Sequence, residues 1–269
     1  MDSLTQIVFD DGAAYDRYMG AWSRLVGAKF LDWLAPRRAL RWLDVGCGNG
    51  AFSMMIAERC APTMINGIDP SEPQLAFART RLPPSMATFE RGDAMALPFG
   101  DDSFDAAIMP LVIFFVPDPA VGVGEMARVV RPGGTVASYS WDMPGGGFPY
   151  AAVNAELSAM GIVTPTAPSA DASRIDRLGE LWTGAGLEGV ETREITVERT
   201  FADFDDYWQT IIGGPSAGRQ LRALSDGDRA RFSSRLRERL PAPNANGALT
   251  MSARANAIRG VVTGRAGVR

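Results

Sequence analysis

The sequence predicts an α/β fold, a doubly wound and largely parallel sheet with helical insertions in its C-terminal half. Three observations predict it. Short apolar runs alternate with amphipathic stretches through the first half of the 269 residues, the pattern of a parallel sheet covered by helices. A glycine-rich turn, Gly46-Cys47-Gly48-Asn49-Gly50, lies where one such run meets an amphipathic stretch. After Trp141 the regularity fades into Gly/Pro-rich loops, and late apolar runs then return to the sheet.

Taken in order, the strands are expected at 40–45, 63–68, 88–91, 104–109 and 135–140. Helices are expected between them, at 52–59, 72–81 and 119–130. Ser71 stands in N-cap position for the second of these, and Arg131-Pro132-Gly133-Gly134 stops the third. Residues 142–149 form a Gly/Pro loop, and 165–173 are rich in Ala, Pro, Ser and Thr. Beyond them the pattern predicts a helix at 175–185 ending at Gly186, a long strand at 190–200, helices at 204–212 and 226–240, and a last strand at 249–258. Because the late strands rejoin one sheet, the expectation is a single domain over 1–269. Within it lie an N-terminal helical segment (1–35), a regular core (36–141) and insertions with the closing strands (142–269).

Composition narrows the function. Lys+Arg 27 against Asp+Glu 31 leaves a net charge of −4, which disfavours stable nucleic-acid binding, since such proteins carry a basic excess. The longest apolar run, 106–116, is interrupted by Pro110, and a membrane span needs about 20 residues. The acidic stretch 1–11 lacks the basic and apolar regions of a signal peptide. Cys47 and Cys60 are the only cysteines, too few for a disulfide framework or a cysteine-based metal site. A reduced, soluble, cytoplasmic protein is expected, without metal. There is no histidine, which removes His-dependent triads and the usual neutral-pH base. No unperturbed side chain then titrates between about pH 6 and 8.

The chemistry concentrates at strand ends. Leu43-Asp44-Val45-Gly46-Cys47-Gly48-Asn49-Gly50 follows an apolar strand and opens a helix, the context a nucleotide-type loop requires. Its G-x-G-x-G spacing departs from the G-x-G-x-x-G of dinucleotide enzymes. Glycines let the backbone approach a ligand closely, and the helix start favours an anionic group. Gly67-Ile68-Asp69-Pro70-Ser71 puts an acid at the end of the second strand, where it can accept ribose hydroxyls. Arg91-Gly92-Asp93-Ala94 ends the third with an acid suited to an adenine amino group.

With these residues the sequence resembles the class I S-adenosylmethionine-dependent methyltransferases, in the broad small-molecule group (methyltransferase type 11) that includes the ubiquinone/menaquinone methyltransferases. The likeness covers about residues 12–141. It runs through the glycine loop, the ribose acid, Gly92–Leu97 with Pro98-Phe99, Phe104-Asp105, and Glu125-Met126-Ala127-Arg128-Val129-Val130-Arg131-Pro132-Gly133-Gly134. The resemblance implies a Rossmann-like sheet of seven strands, six parallel and one antiparallel. It implies S-adenosyl-L-methionine as cofactor and S-adenosyl-L-homocysteine as product. The cofactor residues it implies are Tyr15, Asp44, Gly46, Cys47, Gly48, Asn49, Gly50, Asp69, Pro70, Gly92, Asp93, Ala94 and Pro110. Tyr15-Asp16-Arg17-Tyr18-Met19 resembles the segment that covers the bound cofactor. Related chains often carry Met-Gly-Arg-Trp-Ser where this one has Met19-Gly20-Ala21-Trp22-Ser23, which leaves the cofactor carboxylate to Arg17, Arg24 or backbone amides.

The substrate side is less defined. The segment Pro110-Leu111-Val112-Ile113-Phe114-Phe115 is wholly apolar and is either an oily substrate pocket or ordinary core. Phe114, Phe115, Trp141, Phe148, Tyr207 and Trp208 are pocket candidates, each with core packing as the alternative. Seven arginines between Arg219 and Arg239 are interleaved with acids and are expected to form a solvated helix face. No residue earns a catalytic role; Asp142 is the candidate for a base if the methyl acceptor holds a proton. The expected function is methyl transfer to a small molecule. An RNA or protein methyltransferase, a non-catalytic binding module and a dinucleotide enzyme stand as alternatives.

Overall fold

The structure, a computed structural model, describes residues 16–164, 166–214 and 217–264. Tyr15 lies outside the described residues. Strands β1 (Arg41–Val45), β2 (Met64–Asp69), β3 (Ala87–Arg91), β4 (Phe104–Pro110), β5 (Val130–Trp141), β6 (Leu187–Phe201) and β7 (Leu249–Val262) form one sheet in the order β3-β2-β1-β4-β5-β7-β6. The pairs β1/β2, β1/β4, β2/β3 and β4/β5 are parallel, and β7 runs antiparallel to β5. The α-helices among the described residues are α1 (Ala21–Leu34), α2 (Ala51–Cys60), α3 (Glu72–Arg81), α4 (Pro119–Val129), α5 (Ala151–Ala159), α6 (Ile175–Gly184), α7 (Phe204–Ile212), α8 (Ala217–Ala223) and α9 (Asp226–Arg239).

The residues fall into two compact units, Val26–Gly145 with Ala167–Ile195 and Ala255–Arg269, and Met1–Leu25 with Gly146–Thr166 and Thr196–Arg254. In the first, the period of two along each strand sorts side chains between two faces. Leu43 and Val45 join Ala107, Met109, Val136 and Ile258 in a core with Val123 and Met126 of α4 and Leu178 and Trp182 of α6. Each such fully buried aliphatic side chain contributes about 1.5–3 kcal/mol. Trp42 and Asp44 occupy the alternate positions. On their side Phe30 of α1 and Phe52 of α2 meet the Tyr139 ring at 4.7 and 5.6 Å.

The second unit is built on aromatic rings. Tyr18 stacks on Tyr150 at 4.1 Å, and the Tyr150 hydroxyl donates to the Tyr18 carbonyl at 2.7 Å while accepting from Trp22 Nε1 at 3.3 Å. Tyr207 packs edge-on to Phe201 at 5.0 Å. Glu156 of α5 is fully buried and takes Arg235 Nε at 2.6 Å and Arg239 Nε at 2.7 Å, both from α9.

The differences from expectation have local causes. Helices α5 and α8 escape the sequence pattern because their small residues carry no strong apolar stripe. Ser71 occupies the N-cap of α3 without a side-chain bond, and its amide donates to Asp69. Arg131-Pro132-Gly133-Gly134 ends α4 but belongs to β5, where the register with β4 shifts between Phe104 and Ala106. A Cβ at Gly134 would fall 2.6 Å from the Asp105 carbonyl oxygen, so the bulge demands glycine. Two arginines of α9 are clamps on a buried acid and not part of a purely solvated face. Arg231 pairs with Asp228, and Arg237 with Asp205.

Candidate functional site

The turn after β1 brings the glycine loop against the end of β2. Gly46 and Cys47 amides donate to the Ile68 carbonyl at 2.8 and 2.9 Å. Gly46 has φ +73, and a Cβ there would lie 2.5 Å from Val112 Cγ2; backbone and space both exclude a side chain. Gly48 and Gly50 also have positive φ. The Gly48 amide donates to Asp69 Oδ2 at 2.9 Å and the Ser71 amide to Asp69 Oδ1 at 2.8 Å. Both carboxylate oxygens are thus oriented, and each keeps a lone pair for another donor. Burial pushes the Asp69 carboxyl up in spite of these amides.

Asp44 lies beneath the loop with no exposed surface. Ser53 Oγ of α2 donates to its Oδ2 at 2.6 Å, while Oδ1 and the nearby Asn49 Nδ2 are buried without a hydrogen-bond partner among the described residues. Burial, with Asp69 adding charge repulsion, raises the Asp44 carboxyl from 3.8 to about 7 against the lowering effect of Ser53. A buried carboxyl thus titrates within the window that no unperturbed side chain of this sequence enters. Burial pushes the Cys47 thiol up as well, which keeps it protonated and unreactive.

Asp93 is exposed beyond β3, its Oδ1 accepting from the Met95 amide at 2.9 Å, with Gly92 and Ala94 half-buried beside it. Pro70 is exposed and Pro110 half-buried. Leu111 has φ +60 and donates its amide to the Tyr139 carbonyl at 2.7 Å. A non-glycine residue in this region is strained, and such strain concentrates at functional sites. Ile113–Phe115 form a short 3-10 turn held by the Ser169 amide on the Phe114 carbonyl at 3.0 Å. Phe114 is buried and Phe115 is 36% exposed.

Trp141 is buried in the first unit. Asp142 follows it, buried, with Oδ1 accepting from the Gly145 amide at 3.1 Å. Phe148, Tyr207 and Trp208 belong to the second unit. There Tyr207 is fully buried and its phenol is pushed up by burial, while Phe148 and Trp208 are half-buried. The six aromatic candidates are thus shared three and three between the units. Arg24, one of the residues proposed for a cofactor carboxylate, pairs with Asp16 at 3.3 Å.

Sequence reasoning missed one polar pair. Ser140 of β5 stands opposite Asn256 of β7 in register, and Ser140 Oγ and Asn256 Oδ1 are both buried without a hydrogen-bond partner among the described residues. Asn256 Nδ2 donates to the Ser173 carbonyl at 2.9 Å. Its one signal in the sequence is an asparagine inside the apolar run Ala255–Ile258.

An orphaned carboxylate oxygen, a positive-φ glycine turn and an oriented strand-end acid together fit a nucleoside-bearing, cationic cofactor. Residues 43–138 match the family model described as Methyltransferase domain. Demethylmenaquinone methyltransferase of Roseiflexus castenholzii is 39% identical over 103 residues, 38% of this chain and 43% of that one. That of Staphylococcus aureus (strain JH9) is 37% identical over 114 residues, 41% and 47% of the two chains. The matched stretch is therefore less than half of either relative. Among solved structures, Haemonchus contortus phosphoethanolamine N-methyltransferase 2 in complex with S-adenosyl-L-methionine superposes with TM-score 0.58 at 17% identity, covering 93% of this chain and 56% of that one. The [4+2]-cyclase SpnF does so with TM-score 0.52 at 21% identity, covering 91% and 83%. Over residues 43–138 the chain is thus similar to the methyltransferase domain, and its seven-stranded sheet has the fold of the class I S-adenosylmethionine-dependent methyltransferases.

Proposed function

We propose that the chain is an S-adenosylmethionine-dependent methyltransferase acting on a small, partly apolar molecule, through positioning and without a histidine base. The observation that carries this reading is the double hold on Asp69 by the Gly48 and Ser71 amides. It aims a carboxylate from the end of β2 at the place a ribose occupies in this fold. Asp93 with the Ala94 amide serves an adenine, and Asp44 Oδ1 with Asn49 accepts and donates at the cationic amino-acid end.

When bound, the cofactor supplies a methyl group on a cationic sulfur. The chain's own contribution is to hold the acceptor in line with it; such alignment can supply roughly 7–11 kcal/mol. The apolar segment Leu111–Phe115 excludes water there. Asp142 is the candidate to take a proton if the acceptor holds one. The names of the relatives, which methylate quinone precursors and phosphoethanolamine, support a small acceptor, and the net charge of −4 argues against stable nucleic-acid partners.

The test is methyl transfer from label-carrying cofactor into fractionated extracts. Label in a small organic molecule is expected. Label confined to RNA or protein, or no transfer despite cofactor binding, would overturn the reading.

A further inference from the structure

A cavity lies at the ends of the strands opposite the glycine loop. Its volume is about 330 Å³, at the lower end of the range for ligand pockets, about 300–1,000 Å³. It is formed within the first unit, beneath the connection from α1 to β1, where β1, β4 and β5 begin and β7 ends. Trp42 on its wall is separated from Gly46 by the length of β1, about 13 Å at roughly 3.3 Å per residue. The cavity is therefore distinct from the glycine-loop site.

Its charges are unequal. Three arginines and two carboxylates line it. Arg131 pairs with Asp105, which also accepts from the Arg41 amide at 2.7 Å. Burial alone would raise the Asp105 carboxyl, but that amide and the Arg131 guanidinium hold it below the usual range. Arg259 takes both oxygens of Glu191 at 3.0 and 2.9 Å and is held further by the Trp33 and Leu34 carbonyls. Both acids are thus neutralised by their own partners. Arg37, exposed at the mouth, has no ion pair or hydrogen bond among the described residues. Its cation is left over.

The remaining wall is apolar, with Leu34, Leu40, Ala106 and Ile108. Trp42 adds a fully buried ring whose Nε1–H has no acceptor among the described residues.

We infer that this cavity binds a small organic carboxylate, its apolar body against Leu40, Trp42 and Ile108 and its anion on Arg37. The binding is independent of the cofactor, and this site takes no part in methyl transfer. A neutral molecule of the same shape would leave the arginine unanswered. A bare inorganic anion would leave the apolar wall unanswered.

Benzoate is the probe, followed by two-dimensional ¹H–¹⁵N spectra of the full chain, in which the Trp42 indole signal is identified by its disappearance in Trp42→Phe. The expected result is a saturable shift of that signal with a dissociation constant of about 1–10 mM, as suits a ligand of so few atoms. The shift is expected to persist unchanged with saturating S-adenosyl-L-homocysteine. Arg37→Ala, at an exposed position that leaves the fold intact, is expected to weaken benzoate about tenfold. Benzyl alcohol and inorganic phosphate are each expected to bind at least tenfold more weakly. The inference is overturned by no saturable shift, by equal affinity in Arg37→Ala, by equal affinity of either control, or by displacement with S-adenosyl-L-homocysteine.

Discussion

Replacing Asp44 with asparagine should stabilise the ligand-free protein at alkaline pH while impairing its cofactor site. In the unfolded chain this carboxyl ionises near 3.8; in the fold, burial holds it protonated until about 7. Between those values the native state binds the extra proton, so stability falls as pH rises. The loss begins near pH 4 and is complete above pH 7. A gap of about three in pKa corresponds to about 4 kcal/mol at about 1.4 kcal/mol each. Asparagine keeps the shape and the acceptor for Ser53 Oγ, and it cannot ionise. At pH 4.5 Asp44→Asn and the parent should therefore differ little, whereas at pH 8 the variant should be more stable by about 2–4 kcal/mol. Urea unfolding of both proteins at pH 4.5, 6, 7 and 8 measures this through the midpoints. Parallel pH profiles, or a constant loss of stability in the variant, would refute the reasoning. The same variant should bind S-adenosyl-L-homocysteine more weakly, a trade of stability for function of the kind active sites make.

Gly46→Ala should cost about 2–4 kcal/mol, since the residue has positive φ and the new methyl meets Val112; Val112→Ala in the same chain should return part of the loss, and thermal denaturation of the pair and both singles checks it. Glu156→Gln removes the buried counter-charge of the half-exposed Arg235 and Arg239 guanidinium groups and should destabilise by about 1–2 kcal/mol, read as a fall in the unfolding midpoint. Equal midpoints for Glu156→Gln and the parent would contradict the clamp.

What the sequence revealed and what it hid follow one physical division. The glycine loop was legible because its meaning is local: a strand, a turn that only glycine can make at Gly46, and a helix follow within a few residues. Asp69 was legible for the same reason, as an acid at the end of a recognisable strand. Glu156 was not, since its partners Arg235 and Arg239 come from a helix far along the chain, and an acid in a small-residue stretch gives no sign of burial. The Ser140–Asn256 pair depends on antiparallel register between distant strands, which alternation alone does not set. The Asp44 carboxyl near pH 7 arises from complete burial, which a count of histidines does not reveal. Nothing in the spacing of the aromatic candidates tells that Phe148, Tyr207 and Trp208 belong to a different compact unit from Phe114, Phe115 and Trp141.

The central claim, that the glycine loop and Asp69 hold S-adenosylmethionine, is tested most directly by calorimetric titration of the full chain with S-adenosyl-L-homocysteine. One site per chain is expected in the parent, with no heat from NAD. Asp69→Ala, which removes a charge-assisted contact to the ribose, should weaken binding by about 1.5–3 kcal/mol, roughly 10- to 150-fold. Unchanged affinity in Asp69→Ala, or binding of NAD in place of S-adenosyl-L-homocysteine, would contradict it.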